Sequence, residues 1–207
     1  MGIMSDFRYR KISHTATVED LLKEFFRKTI HICASLIPLF ATWNLHITVL
    51  ALSIIVIFYI ICEYARLTGI TIPLVSRVTA YAARRRDKGR FVLGPVTMAL
   101  GILVSLLLLP PDAARVGIYA LAFGDGIASL AGKLFGRKKI PHTHGKTLAG
   151  SLACFVAVYI SSITVIKNPT SAFLVAFLAM VIEMFPLRDY DNFIIPIAIG
   201  TVVWLLP

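Results

Sequence analysis

Residues 46–62, with the sequence HITVLALSIIVIFYIIC, decide the fold class of this chain. The segment contains no Asp, Glu, Lys or Arg, and its apolar and polar positions do not alternate. About 20 apolar residues are enough for an α-helix to cross the hydrocarbon core of a bilayer. Because the bilayer core offers no water to the backbone, such a segment must be a helix or a barrel strand, and barrel strands alternate. We therefore predict a transmembrane helix here.

Further apolar segments share this character. They lie at 29–43, 92–109, 114–134, 147–166, 171–185 and 193–206. Of the 207 residues, 57% are hydrophobic and only 15% are charged, whereas about a quarter are charged in a typical soluble domain. The sequence predicts an all-α fold, a polytopic transmembrane helical bundle of about seven spans, with a range of six to eight.

The predicted spans differ in length. The segments at 46–62, 92–109, 114–134 and 147–166 are expected to cross the bilayer completely. Those at 29–43, 171–185 and 193–206 are short, so they are expected to borrow flanking residues or to cross only part of the way.

The basic residues predict the orientation of the bundle. Of the 21 Lys and Arg residues, only Arg115 and Lys167 fall on one side of the predicted spans, and the rest fall on the other. An excess of Lys and Arg marks cytoplasmic loops. We therefore predict an integral protein of the inner or cytoplasmic membrane, with a cytoplasmic N-terminus. Topology accounts for the net charge of +10, and no nucleic-acid partner is predicted. The alternative for the basic loop ARRRDKGR is contact with anionic lipid headgroups.

Two regions are predicted along the chain. Residues 1–28 form a cytoplasmic N-terminal segment, and residues 29–207 form a single transmembrane catalytic domain. In TVEDLLKEFF, Thr17 has the character of an N-cap, with Asp20 three residues later. This pattern predicts an interfacial helix leading into the first span, and the alternative is a simple extension of that span.

Asp125 is the most informative ionisable residue, because it lies inside the predicted span at 114–134. A carboxylate at membrane depth is costly to keep and indicates function. The surrounding sequence FGDGIASLAGKLFG is rich in small residues, which leave room for a ligand beside the carboxylate. The alternative is an Asp that only pairs with a neighbouring Lys or Arg.

Other polar residues lie at the ends of the predicted spans facing the cytoplasm. They include His31, Glu63, Arg66, Lys146, Glu183, Asp191 and Asn192. Carboxylates together with phosphate oxygens suit a hard cation, and Lys side chains suit phosphate. The set therefore predicts phosphoryl transfer with Mg²⁺ or Mn²⁺ held by Asp125, Glu183 and Asp191. His142 and His144 are not expected to bind a metal, because an isolated HxH pair is weak evidence for one.

Residues 139–151, KIPHTHGKTLAGS, contain Gly-Lys-Thr and Gly-Ser, which are typical of phosphate-binding loops. A Walker loop would need a glycine at position 140, which is Ile140, and a preceding strand. A Walker loop is therefore excluded. We predict instead that Lys146 and the preceding basic residues contact phosphate. Gly145 and Gly150 are expected to let backbone N–H groups near the start of the next helix face the phosphate oxygens.

Taken in order, the motifs resemble a known family over about residues 24–200. They are FFRKTIHI, EYAR, GDGIASLAGKLFGRKKIPHTHGKTLAGS and EMFPLRDYDNFIIPI. The family contains dolichol kinase, phytol kinase and the CTP-dependent diacylglycerol kinase. The resemblance implies CTP as the phosphoryl donor, a divalent metal, and a lipid alcohol as acceptor. One departure is Ala149, where the family commonly has Glu before the Gly-Ser pair.

These observations predict a membrane lipid kinase whose partners are a membrane lipid and a nucleoside triphosphate. Asp125, Lys146 and Asp191 are the predicted catalytic residues. The predicted nucleotide-binding residues are Arg27, Lys28, His31, Glu63, Arg66, Lys133, Arg137, Lys138, Lys139, Gly145, Thr147, Gly150, Ser151 and Asn192.

Two other functions fit part of the sequence. A phosphatidate cytidylyltransferase would also use CTP, but its Lys-Asp, His-Gly-Gly and Asp-Arg-x-Asp signature is missing near the C-terminus. A transporter would use Asp125 as a proton or ion site, but it leaves Lys146, Glu183 and Asp191 unexplained. The identity of the lipid and the oligomeric state stay open at this point.

Overall fold

The computed structural model describes residues 21–206, apart from 71, 74, 76, 77, 80–82, 84–86, 88, 142, 144 and 186. Helix α1 covers residues 21–33 and continues through a 3₁₀ turn, Ala34–Leu36, into α2, Ile37–Trp43. The later helices are α3 Leu45–Leu67, α4 Gly94–Leu108, α5 Pro111–Tyr119, α6 Gly126–Phe135, α7 Leu148–Ile166, α8 Pro169–Met184 and α9 Asp191–Leu205. A π-helical turn, Ala120–Asp125, joins α5 to α6. Within the described residues there is no β-strand, and the all-α prediction is confirmed for them.

Short polar or proline-containing turns connect several of these helices. Asn44 ends α2 and caps α3, because its side-chain oxygen accepts a hydrogen bond from the Ile47 N–H at 3.0 Å. Asn168 caps α8 in the same way, through the N–H groups of Thr170 at 3.0 Å and Ser171 at 3.2 Å. Such short connections place consecutive helices side by side and antiparallel.

Three helical stretches are long and apolar enough to cross a membrane, Leu45–Leu67, Pro111–Phe135 and Leu148–Ile166. The predicted span at 92–109 corresponds to α4, which has only 15 residues, and its complete crossing of the bilayer stays a prediction. Pro95 lies at its start and the Pro110–Pro111 pair follows its end, and proline cannot continue a helix. At 1.5 Å per residue, α4 is about 22 Å long.

The N-terminal end of the bundle differs from the predicted segment at 29–43. Helical structure runs without a break from residue 21 to residue 43, so the short segment extends toward the N-terminus, as an extension of the first span would. Thr17 and Asp20, which suggested a helix start, lie outside the described residues. The number of spans and the side of the N-terminus remain predictions.

Apolar side chains fill the centre of the bundle and also cover its outside. The buried core includes Ile102 of α4, Val116 of α5, Leu121 of the π turn, Val158 of α7 and Ile199 of α9. The outer surface of α3 exposes another apolar set, Ile47, Leu50, Ile54, Ile55, Ile57, Phe58 and Ile61. Soluble monomers rarely expose a continuous apolar patch of this kind. The distribution is that of a membrane helical bundle.

The close contact between α5 and α9 depends on Gly117. A Cβ atom at this position would lie 2.1 Å from the Pro196 carbonyl oxygen, so no larger residue fits. The contact fixes α5 against the bundle, and with it the π turn that follows.

Candidate active site

A cavity of about 1000 Å³ opens where α1, α6 and the start of α7 meet the turn between α8 and α9, and residues from the segment at 87–97 also line it. Its ionisable lining residues are Arg27, Lys28, Asp87, Arg90, Asp125, Lys133, Lys146, Glu183, Arg188, Asp189 and Asp191. Small residues such as Gly132, Gly145 and Ser151 complete the wall. The cavity therefore combines cations and carboxylates at one end of an apolar bundle.

Asp125 lies at the end of the π-helical turn and is 5% exposed. π turns within helices are often found at functional sites. Its Oδ2 accepts a hydrogen bond from Lys28 Nζ and lies 3.3 Å from His31 Nδ1. Asp125 therefore faces the cavity and also pairs with Lys28, so the ligand space and the ion pair that the sequence offered as alternatives occur together.

Glu24 is a buried carboxylate that the motifs did not identify. It accepts hydrogen bonds from Arg27 Nη2 at 2.5 Å, from Lys133 Nζ at 2.8 Å and from Ser129 Oγ. Burial alone would raise the pKa of Glu24, but the charges of Arg27 and Lys28 and the bonds from Lys133 and Ser129 lower it to about 2. The stability that this ionised group contributes is present above about pH 4.5 and is lost as the pH falls toward 2.

Lys146 forms the second ion pair of the cavity, with Nζ donating to Glu183 Oε1. Burial would lower the pKa of Lys146, but the carboxylates of Glu183, Asp125 and Asp191 outweigh it and raise that pKa, so Lys146 is a cation at neutral pH. The other oxygen of Glu183, Oε2, is buried and has no hydrogen-bond partner within the part of the chain that is described. A buried carboxylate oxygen of this kind is suited to an incoming ligand.

The loop that carries Lys146 is a short hairpin. The Ile140 N–H donates to the Lys146 carbonyl at 2.8 Å, and the Leu148 N–H donates to the Lys138 carbonyl at 3.1 Å. Gly145 makes the turn with a φ of +97°, a conformation that glycine adopts without strain. This hairpin presents Gly145, Lys146 and Thr147 to the cavity without a Walker loop.

Thr147 and Gly150 have structural contacts that the sequence did not predict. The Thr147 side-chain oxygen accepts from the Gly150 N–H at 3.2 Å and caps α7. The cap engages the Gly150 N–H, while Gly150 itself lines the cavity. A Cβ atom at Gly150 would lie 2.7 Å from the Ala128 carbonyl oxygen, so glycine lets α7 approach α6 closely.

Glu63 and Arg66 lie behind the cavity wall and do not line it. Arg66 donates two hydrogen bonds to Glu63, at 2.7 and 2.8 Å, and a third to the Arg90 carbonyl at 2.8 Å. Glu63 also accepts from the Val92 N–H at 2.9 Å. The pair therefore fixes the segment at residues 90–92, and this segment places Arg90 at the cavity.

Other predicted nucleotide-binding residues lie beside the main cavity. His31 and Asn192 line a smaller adjoining cavity of about 40 Å³, which shares Arg27 and Asp87 with the large one. Arg137, Lys138 and Lys139 do not line either cavity. They belong to the first arm of the hairpin, and it is the turn and second arm that supply the lining residues. His142 and His144 lie outside the described residues.

The predicted metal ligands, Asp125, Glu183 and Asp191, all line the cavity. They do not converge on one point, since the described residues contain no group of three or more His, Cys, Asp or Glu that could hold a metal ion. Asp191 Oδ1 accepts from the Asn192 N–H at 2.9 Å, at the start of α9. Mg²⁺ in phosphoryl-transfer sites commonly uses one or two carboxylates with substrate phosphates. The unpartnered oxygen of Glu183 fits such a site.

Sequence reasoning missed several lining residues, among them Arg90, Ser129, Arg188 and Tyr190. Arg188 has a φ of 58°, in the left-handed region that favours glycine. Backbone strain of this type often occurs at functional sites. The only sequence signal was the polar turn LRDYDN between two apolar segments, in which Arg188 counted as a topology charge.

The chain is similar to proteins from very different organisms. An uncharacterized protein of Methanocaldococcus jannaschii is 29% identical over 188 residues, which cover 88% of this chain and 93% of that protein. The chloroplastic phytol kinase 1 of Arabidopsis thaliana is 27% identical over 151 residues, covering 64% of this chain and 49% of the kinase. A probable chloroplastic phytol kinase of Zea mays is 30% identical over 152 residues, covering 64% and 48%.

The chain thus spans about half the length of the plant proteins that it matches. No family model and no solved structure matches it.

Proposed function

We propose that the protein is an integral-membrane kinase that transfers the γ-phosphate of CTP to the hydroxyl of a lipid alcohol. The observation that carries this proposal is the cavity itself, which gathers Lys28, Lys146, Asp125 and Glu183 at one end of an apolar bundle. Similarity to plant phytol kinases supports a lipid-alcohol acceptor. CTP as donor comes from the resemblance of the motifs to the lipid-alcohol kinase family.

The proposed reaction is an in-line phosphoryl transfer. The lipid hydroxyl oxygen forms a bond to the γ-phosphorus while the bond from that phosphorus to the bridging oxygen breaks, and CDP leaves. The hydroxyl proton passes to a carboxylate, for which Asp125 and Asp191 are the candidates. Lys28 and Lys146 lie at the cavity and compensate the charge of the phosphates.

A divalent cation such as Mg²⁺ would be held by Asp125, Glu183 or Asp191 together with phosphate oxygens, and would neutralise charge on the triphosphate. The carboxylates are matched to this task by their chemistry and by the unpartnered Glu183 Oε2.

The proposal includes an orientation in the membrane. The cavity faces the cytoplasm, the N-terminus lies on the same side, and about seven helical passes surround the site. Two described residues at the opposite end, Arg115 and Lys167, are the basic residues that the sequence placed on the outer side. The lipid alcohol enters from the bilayer, and its hydroxyl reaches the cavity from the side of the apolar helices.

A panel of lipid alcohols tests the proposal directly. Purified protein is given phytol, a polyprenol or diacylglycerol with γ-labelled CTP or ATP, and the lipid fraction is analysed for label. We expect label in at least one lipid with CTP, together with release of CDP. Labelling with ATP in preference to CTP would keep the kinase and replace the donor.

The same assay separates the alternatives. Release of diphosphate with a cytidylylated lipid would show a cytidylyltransferase instead. Absence of nucleotide binding by the purified protein, together with proton or ion flux in vesicles, would show a transporter. Either outcome would overturn the proposed kinase.

A further inference from the structure

Glu24 connects two helices through a regular pattern of polar side chains. On α1, Glu24 and Lys28 are four residues apart, and Asp125, Ser129 and Lys133 are spaced by four along α6 and its preceding turn. Residues four apart share one face of a helix. Lys28 pairs with Asp125, and Glu24 pairs with Ser129 and Lys133, so the two faces meet as an antiparallel polar ladder.

The ladder places the polar face of α1 inside and its apolar face outside. Glu24 and Lys28 are 5% and 2% exposed, whereas Leu22 and Phe25 are 63% and 59% exposed. The helices also approach closely beyond the ladder, since a Cβ atom at Gly126 would lie 3.2 Å from Ile32 Cγ1. The position of Glu24 relative to α6 is therefore well defined.

All three partners of Glu24 line the large cavity, whereas Glu24 itself does not. A long cationic side chain loses rotamer entropy when it is held in one conformation. Lys133 is 42% exposed on its side chain, so it would be mobile without a partner. Glu24 holds Arg27 and Lys133 at the cavity wall before any ligand binds. The entropy of ordering these two side chains is therefore lost on folding and does not reduce the affinity for the ligand.

We propose that Glu24 is a positioning residue for the triphosphate, which orients Arg27 and Lys133 toward the phosphates. The inference rests on the proposed function and goes beyond it, because Glu24 belongs to none of the predicted site residues. Glu24 acts only through these cations and touches neither nucleotide nor lipid. Its loss therefore affects nucleotide affinity more than the chemical step or lipid affinity.

The test uses Glu24→Gln, which keeps the side-chain size and removes the charge. Equilibrium binding of CTP to the full chain in detergent is measured together with KM for CTP, KM for the lipid and kcat. We expect the Kd and KM for CTP to rise about tenfold, the loss of one charge-assisted contact, with kcat and the lipid KM changed less than twofold. Asp112→Asn, an acid-to-amide change at the opposite end of the bundle, serves as the matched control.

A double-mutant cycle distinguishes positioning from a general loss of stability. If Glu24 acts through Lys133, Glu24→Gln should weaken CTP binding much less in a Lys133→Gln background than in the wild type. Glu24→Asp, which keeps the charge, should recover part of the affinity. Thermal unfolding of each variant in detergent verifies that the comparison is made on folded protein.

The outcomes also separate this inference from the proposed function. Wild-type protein that binds no nucleoside triphosphate overturns both. Wild-type protein that binds CTP, beside a Glu24→Gln variant with unchanged affinity, overturns the inference alone. A variant that loses kcat and both affinities equally, without coupling to Lys133, shows a purely structural lock and also overturns it.

Discussion

The two ends of the helical bundle use ion pairs in different ways. At the cavity end, Lys28 and Asp125 are almost completely buried, with side chains 2% and 6% exposed. At the opposite end, Nη1 of Arg115 lies 3.5 Å from Oδ1 of Asp112, and these two side chains are 30% and 73% exposed. Burying charge costs several kcal/mol per ion, so a buried pair is weak evidence of a gain in stability. An exposed pair costs little and contributes little.

The opposite end also shows what the bundle looks like without such groups. An apolar groove of about 510 Å³ lies between α2 and α3, lined by Phe40, Trp43, Ile47 and Ile55 among others. The helices therefore pack and expose apolar surface there without buried carboxylates or lysines. The buried charges at the cavity end are those to which we assign the proposed chemistry, and the predictions below test this comparison.

The largest effect is expected from Asp125→Asn. Lys28 would lose its carboxylate and remain buried, a change that costs about 3–5 kcal/mol when one partner of a buried pair is removed. Phosphoryl transfer should fall below detection, because the site loses both a carboxylate and the anchor of a cation. Transfer is measured in membranes, and the amount of folded protein is measured by thermal unfolding in detergent. Wild-type turnover would remove Asp125 from the site.

Removal of divalent metal should also abolish transfer. A triphosphate requires charge compensation while it reacts, and two of the cavity cations, Lys28 and Lys146, are already paired with carboxylates. Turnover is assayed in excess EDTA and after readdition of Mg²⁺ or Mn²⁺. Turnover that persists in EDTA contradicts the metal requirement.

The double variant His142→Ala/His144→Ala should retain most activity. An inactive double variant would place the two histidines in the site.

Lys146→Ala should reduce kcat/KM for CTP by about 10- to 200-fold, the equivalent of a charge-assisted contact of about 1.5–3 kcal/mol. The apparent affinity for the lipid should change little, and Lys146→Arg should recover only part of the activity. Thr147→Ala should affect activity less. Because Thr147 caps α7, its loss should instead lower stability by about 1 kcal/mol. An inactive Thr147→Ala beside a nearly normal Lys146→Ala would reverse the assignment.

Arg188→Gly should separate stability from binding at the rim of the cavity. Glycine relieves the left-handed backbone, a cost of about 1 kcal/mol, so the unfolding temperature should stay the same or rise. Affinity for CTP should fall by up to about fivefold, because solvent screens an exposed charge. Arg188→Lys, which keeps both charge and strain, is the matched control. Unchanged affinity in Arg188→Gly would make Arg188 a topology charge only.

The smallest effect is expected from Asp112→Asn. An exposed ion pair is worth about 0–1 kcal/mol, so stability and transfer should both remain close to those of the wild type. Activity and thermal unfolding are measured beside Asp125→Asn. A loss comparable to that of Asp125→Asn would show that the two ends of the bundle do not differ in the way the buried and exposed pairs indicate.

The sequence by itself determined the helical class and identified several of the residues that line the cavity. Apolar segments specify helices because their backbones must bond internally in a bilayer, and the segment at 46–62 became part of α3. Asp125 was identified from the sequence because a charge at membrane depth is costly. Lys146 and Glu183, which were identified for the same reason, line the same cavity as Asp125. The length of the apolar segment overestimated the length of α4, because prolines lie at the start of this helix and just after its end.

Only the tertiary structure decided which charges meet. Glu24 lies in a stretch that the sequence assigned to an interfacial helix or to an extension of the first span. Its contacts are with Ser129 and Lys133, more than 100 residues away along the chain. Arg137, Lys138 and Lys139 have the right chemistry for phosphate, yet the hairpin presents Lys146 instead. A sequence records the charge of each side chain, but the packing of α1 against α6 and of α7 against α6 fixes where that charge is placed.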